Sequence, residues 1–244
     1  MNTAIKINSL TKTYGTKNAV DHVSFSIKEG ELIGLLGVNG AGKTTLIKML
    51  SCLTKPTSGE ATLLGESITQ HPEQVRKSIS VSPQETAIAP NLSVRENLEL
   101  MAGIHGFNKE KTKIKTDELI AQFSLQPYEK QRSKTLSGGW QRKLSIAMAL
   151  ISEPGILFLD EPTLGLDILG RRELWALIKK VKEKTTIVLT THYLEEAEVL
   201  SDRICIMKNG QIKAIGSVQK LIEQSKTASF EDAFIYFVTE GEAR

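Results

Sequence analysis

The sequence predicts an α/β fold: a core built on a mainly parallel sheet, an antiparallel β-subdomain in its N-terminal part, and an inserted α-helical lobe. Three observations carry that expectation. Apolar Leu32-Ile33-Gly34-Leu35-Leu36 runs into a glycine-rich loop and then into a helical pattern. Far downstream, Ile156-Leu157-Phe158-Leu159 is a second unbroken apolar run, ending in Asp160-Glu161. Short runs of this kind are how fully buried parallel strands read. Between the two, from Ser93, the pattern turns helical.

The elements follow in chain order. Ile5 and Ile7, then Val23, Phe25 and Ile27, alternate with polar residues, the pattern of half-exposed antiparallel strands. After the buried strand at 32–36, a helix begins near Lys43 and continues through Leu46, Ile47, Met49 and Leu50. Lys55-Pro56-Thr57-Ser58-Gly59 breaks the chain before a short strand over 61–64. Ser93 and Glu96 form a capping box for a helix with Val94, Leu98 and Met101 at its apolar positions. Ser137 is an N-cap for another, with Leu144, Ala147, Leu150 and Ile151 on one face. Beyond Gly155 the order is strand, helix, strand: 156–159, a helix lined by Leu174, Leu177, Ile178 and Val181, then 186–189. Residues 1–244 read as one domain: a core over about 1–84 and 135–216, a helical lobe over about 85–134, and a C-terminal helical tail over about 217–244.

Composition narrows the class. A chain of 244 residues with 40% hydrophobic content can bury one large core. A net charge of +3 with 24% charged residues is too balanced to argue for nucleic acid, and none is expected as a partner. Cys52 and Cys205 sit in apolar surroundings without metal-ligand spacing, so both are expected to be buried thiols of a reducing compartment. No apolar run approaches the ~20 residues of a membrane span and no signal-peptide pattern opens the chain, so a membrane role would come through a partner. His22, His71 (before a proline, in a loop) and His105 read as surface histidines, and the basic run 109–115 as a solvated helix face.

The chemistry concentrates in the loops that follow the strands. Gly37-Val38-Asn39-Gly40-Ala41-Gly42-Lys43-Thr44, followed by Thr45, fits G-x-x-x-x-G-K-[ST] between a strand and a helix. Its glycines let successive N–H groups point inward as an anion nest, and the helix adds the positive end of its dipole. Lys43 can reach the β and γ phosphates of a nucleotide, and the Thr44 hydroxyl can coordinate Mg²⁺. This is the core of a P-loop nucleotide hydrolase (NTPase). Asp160, at the C-terminal end of a buried strand, is positioned to hold Mg²⁺ directly or through water. Glu161, one residue on, can polarise a water for attack on the γ-phosphate. A second anion site stands at Leu136-Ser137-Gly138-Gly139, where the Ser137 hydroxyl and two glycine N–H groups open a helix.

Leu-Ser-Gly-Gly before a helix, upstream of an apolar strand ending in Asp-Glu-Pro-Thr, resembles the signature motif of ATP-binding cassette (ABC) proteins. Other segments match in order. Tyr14 stands where that family has an aromatic stacking on adenine, Gln84 looks like the Q-loop glutamine, Asp167 in Leu164-Gly165-Leu166-Asp167 like the D-loop, and His192 like the switch histidine. Two positions depart from the pattern: Trp140 where glutamine is common, and Ile168 where proline is usual.

The resemblance implies a Mg²⁺-dependent ATPase working as a head-to-tail pair, in which the signature motif of one copy grips the γ-phosphate held by the other. It also implies a separate transmembrane permease subunit and a place on the cytoplasmic face of the cell membrane. Gln84 would then read Mg²⁺ and the γ-phosphate. Thr191-His192-Tyr193-Leu194-Glu195-Glu196-Ala197-Glu198 and Phe230-Glu231-Asp232-Ala233-Phe234 are similar to ATPases of ABC-2-type exporters, whose cargoes include drugs, antibiotics, lipids, polysaccharides and sodium. An ABC-type ATPase acting outside transport, in cell division, signalling or nucleic-acid work, is the alternative. An ordinary GTPase is excluded because no Asn-Lys-x-Asp motif is present.

Overall fold

The computed structural model describes residues 2–239. It opens with a long antiparallel hairpin, β1 (Thr3–Tyr14) and β2 (Lys17–Lys28). Ile5, Ile7 and Leu10 are buried while Lys6 and Asn8 are exposed, which is the alternation a half-buried strand imposes. Then come β3 (Leu32–Leu36), buried at every position, and α1 (Lys43–Leu50). β4 (Ser58–Leu63) and β5 (Glu66–Ser67) complete a four-stranded antiparallel sheet in the order β2-β1-β4-β5.

The remaining elements build the core and its helices. They are α2 (Pro72–Ser78), β6 (Ile79–Ser82), α3 (Val94–Ile104), α4 (Lys109–Gln122), α5 (Gly138–Leu150), β7 (Ile156–Asp160) and α6 (Ile168–Lys182). After them come β8 (Thr186–Thr191), α7 (Leu194–Leu200), β9 (Arg203–Lys208), β10 (Gln211–Gly216), α8 (Val218–Ser225) and α9 (Phe230–Thr239). The second sheet runs β10-β9-β3-β8-β7-β6, parallel throughout except where β10 pairs antiparallel with β9.

Alternate residues of the parallel strands feed different layers. Ile33, Leu35, Phe158 and Val188 face α1 and the antiparallel sheet. Leu32, Leu157, Leu159, Ile187 and Leu189 face the helical side, where Leu98 of α3, Leu119 of α4, Leu144 of α5 and Leu174 of α6 join one continuous core. Leu36, Ile204 and Ile206 support α8 and α9. With both faces covered, the strands must be apolar at every position, which is why β3 and β7 read as unbroken runs.

The capping box is present: Ser93 N–H donates to Glu96 Oε2 at 2.7 Å and Glu96 N–H to Ser93 Oγ at 3.2 Å. Three expectations need correction. The strand expected over 61–64 is Ser58–Leu63, because Ser58 and Glu60 already pair with β1 on either side of an irregularity at Gly59. Gly59 has φ +79°, and a Cβ there would lie 2.2 Å from the Ser9 carbonyl oxygen, so the close approach needs glycine. His71 lies in the loop before α2 as expected, at its N-cap position without a side-chain cap, with Pro72 at the first helical position. The strand expected over 186–189 runs on to Thr191, so its last two residues are polar. Cys205 is buried as expected, whereas Cys52 is only half-buried. His22, His71 and His105 are exposed. Residues 240–244 of the expected tail lie outside the described residues.

Candidate active site

β3, β8 and β7 lie side by side and parallel, so the loops leaving their C-terminal ends converge. After Leu36 the chain curls through the glycine-rich loop into α1, whose N-cap Gly42 has φ +105°. A Cβ at Gly42 would meet the Ala19 carbonyl oxygen at 2.4 Å, so the hairpin of the antiparallel sheet fixes this loop from outside. Lys43 is buried, and its Nζ donates to the carbonyls of Gly37 (2.6 Å) and Val38 (3.4 Å). Burial pulls the Lys43 ammonium below its ordinary pKa, against the opposing charges of Glu161 and Asp160.

Asp160 ends β7 and is buried, accepting a hydrogen bond from the Thr190 hydroxyl across the strand pair. Glu161 follows with φ +48°, a left-handed backbone that costs a non-glycine residue about 1–2 kcal/mol. Its N–H donates to Thr190 O and Thr190 Oγ1, both at 3.1 Å, and these bonds hold the turn. The turn brings Glu161 Oε2 within 2.8 Å of His192 Nδ1, with the Glu161 side chain 14% exposed. Strain of this kind concentrates where a side chain must be aimed.

These groups share one cleft of about 850 Å³. Its wall is the loop 37–45 together with Gln84, Glu161 and His192, so most of the sequence-derived candidates are gathered in one place. Lys17, Ala19, Leu164 and Phe234 also line it; Leu164 and Phe234 belong to segments matched by resemblance, whereas Lys17 and Ala19 were not singled out from sequence. Asp160 sits behind the wall rather than on it. Tyr14, at the tip of the hairpin, is 52% exposed and is not part of the wall, although Lys17 and Ala19 of the same hairpin are. Lys12 Nζ lies 5.1 Å from the Tyr14 ring centre.

Gln84 is held by its backbone. Arg142 of α5 donates Nη1 to Pro83 O at 2.6 Å and Nη2 to Gln84 O. Nothing in the spacing of residues 84 and 142 announces this pairing, which is made by the fold.

The signature segment is elsewhere in the chain's surface. Ser137 has N-cap backbone geometry but its hydroxyl makes no capping bond, and Ser137 and Gly138 are exposed. Leu136 is buried beneath them. They line a second cleft of about 420 Å³, shared with Asp167 and Leu169. Trp140 packs on Tyr128 (ring centres 4.5 Å apart) under Lys143 Nζ at 4.0 Å, and Trp140 and Lys143 line the same cleft. Asp167 caps α6 through Gly170 N–H at 2.7 Å, and Ile168 is the first helical residue, the position where proline is also favourable. A single chain therefore presents the phosphate loop and the signature motif in separate clefts.

Among the described residues no group of three or more His, Cys, Asp or Glu side chains is arranged to hold a metal ion. Thr44, Gln84 and Asp160 instead offer hard oxygen donors of three kinds. Such a set suits Mg²⁺, which takes one or two carboxylates and completes its shell with phosphate oxygens and water.

Comparison with known proteins agrees with the geometry. Residues 20–164 match the family model described as ABC transporter. The chain is similar to the doxorubicin resistance ATP-binding protein DrrA of Mycobacterium tuberculosis, at 43% identity over 221 residues, covering 89% of this chain and 67% of that protein. It is also similar to the Nod factor export ATP-binding protein I of Rhizobium etli, at 40% identity over 223 residues, covering 91% and 71%. Among solved structures, the dimeric post-hydrolysis state of the ATP-binding cassette MJ0796 bound to ADP and Pi superposes with a TM-score of 0.79 at 28% identity, covering 87% of this chain and 98% of that one.

Proposed function

The chain belongs to the ABC transporter family, and on that premise we propose that it is the ATP-hydrolysing subunit that energises an exporter, paired head-to-tail with a second copy and seated on a separate transmembrane permease. It is an ATPase of the cassette type. The observation that carries its chemistry is the 2.8 Å contact between Glu161 and His192 on the wall of the cleft that the phosphate loop floors.

In this reading the triphosphate lies in the loop 37–45, with the loop N–H groups and Lys43 neutralising its charge. Tyr14 stacks on the base. Glu161 accepts the proton of the attacking water, and His192, engaged through Nδ1, keeps Nε2 for the terminal phosphate. Thr44, Gln84 and Asp160 hold Mg²⁺, which supplies charge neutralisation to the phosphates when bound. Ser137, Gly138 and Gly139 act on the nucleotide of the second copy, with Leu136 buried as their footing, and Asp167 lies beside them at the interface. The separate clefts of loop and signature within one chain support that assignment.

The division into core, lobe at 85–134 and tail from 217 belongs to the same proposal. No helix among the described residues is long and apolar enough to cross a membrane, so placement at the cytoplasmic face would come through the permease. The exporter assignment extends what the named relatives do, drug resistance and Nod factor export, to this chain.

Glu161→Gln tests the chemistry. The variant keeps shape and hydrogen bonding but cannot take a proton, so ATP binding should persist while turnover falls on the order of 10²-fold or more. Unchanged turnover would remove Glu161 from the mechanism.

A further inference from the structure

Helix α6 grips the segment that carries His192 at two points. Residues 171 and 175 are one helical turn apart and therefore share a face. Arg171 places its guanidinium carbon 5.3 Å from the centre of the Tyr193 ring, and Tyr193 in turn stacks against His192 at 4.1 Å with the rings tilted by 41°. Trp175 donates its indole N–H to Glu196 Oε1 at 3.1 Å. Thus both residues that α6 holds, 193 and 196, flank the start of α7, immediately after the histidine.

Neither residue serves its own helix in the ordinary way. Tyr193 occupies the N-cap of α7, where Ser, Thr, Asp or Asn would satisfy an orphan N–H, and it makes no side-chain cap. Its N–H instead donates to Thr191 Oγ1 at 3.0 Å. Glu196 is the third helical residue, from which a glutamate commonly reaches back to cap; here it is turned inward and fully buried. A buried carboxyl is costly unless something uses it. Its second oxygen and the Thr163 hydroxyl, two residues past Glu161, are both buried without a hydrogen-bond partner among the described residues. Burial pushes the Glu196 carboxyl up, against the pull of the Thr191 and Trp175 side chains and with the Glu161 charge adding to the rise. The group thus touches the electrostatics of both catalytic segments.

We propose that the pairs Arg171–Tyr193 and Trp175–Glu196 form a two-point clamp through which α6 fixes the plane of the His192 ring, making Tyr193 and Glu196 positioning residues for the Glu161–His192 pair. The proposal rests on the reading of Glu161 and His192 as the reacting pair. The clamp holds the imidazole so that Nδ1 meets Glu161. Because Asp167 caps α6, whatever displaces the first turn of α6 also turns the histidine.

Steady-state ATPase assays combined with ¹⁵N-histidine NMR test the clamp, with the His192 signals assigned by their loss in His192→Ala. Tyr193→Ala and Trp175→Phe should each lower kcat on the order of 10-fold with the KM for ATP within about two-fold, the pattern of a misaimed group. In both, His192 should pass from a single Nδ1-protonated signature to an exchanging mixture of tautomers. Tyr193→Phe keeps the stack and Glu196→Gln keeps the acceptor for Trp175, so both should retain wild-type kcat and spectrum. An unchanged His192 spectrum in Tyr193→Ala and Trp175→Phe overturns the clamp, whether activity holds or falls along with thermal stability. Wild-type turnover in His192→Ala would overturn the catalytic reading instead, while the spectra of the other variants still decide whether the clamp exists.

Discussion

Glu161 and Glu196 are two carboxyls in neighbouring segments with opposite surroundings. Glu161 reaches the cleft on a left-handed turn and meets His192, whereas Glu196 is sealed beneath it. The burial of Glu196 has a consequence for stability. A carboxyl raised above its ordinary 4.5 binds more protons in the folded than in the unfolded chain, so its stabilising contribution is complete below 4.5 and is lost as pH rises through the raised value. Glu196→Gln removes that loss. Urea unfolding should therefore show wild type losing stability relative to the variant as pH rises above the ordinary carboxyl value of 4.5. A difference that stays flat as pH rises would mean Glu196 is ionised in the folded chain. Of these residues, Lys43, Asp160, Glu161 and His192 were legible in the sequence because each sits inside a motif whose spacing has a chemical reason. Arg142, Trp175 and Glu196 were not. Their roles come from partners 58, 21 and 21 positions away, a proximity that no local pattern encodes.

Strands β3 and β7 were legible because burial on both faces leaves only apolar side chains, and α3 because its capping box is written in two residues. Helix α2 was missed since Val75 is its only buried residue and no periodicity can form around one position. The same reasoning explains β4, whose first residues look like turn chemistry but pair with β1 around Gly59. At this scale the connection between β6 and α3 matters most. Gln84 follows β6, lines the cleft, and is tied by its backbone carbonyl to Arg142 of α5, the helix that Ser137 begins. Loss of a phosphate in the cleft can thus be felt in α3 and α5 together. Gln84→Ala should leave ATP binding within a few-fold yet lower the amount of substrate moved per ATP in vesicles reconstituted with the permease. Wild-type transport per ATP in that variant would remove Gln84 from coupling.

At the scale of the whole molecule, the proposed pairing rests on two clefts that one chain keeps apart. The phosphate loop and Glu161 open on one cleft, and Ser137 opens on another with Asp167. The exposed Ile168 and Leu169, at 65% and 72%, lie beside that second cleft. A symmetric pair that closes the first cleft of each copy with the second cleft of the other uses both surfaces twice and leaves neither open. The most direct measurement of this arrangement mixes two inactive chains, Lys43→Ala and Ser137→Arg. In a mixed pair one site loses both residues while the other keeps both. Each variant alone should be inactive, and an equimolar mixture should recover ATPase activity to no more than about a quarter of wild type, since half the pairs are mixed and each carries one intact site. A mixture as inactive as its components, or a Ser137→Arg chain with wild-type turnover by itself, would contradict a site shared between two copies.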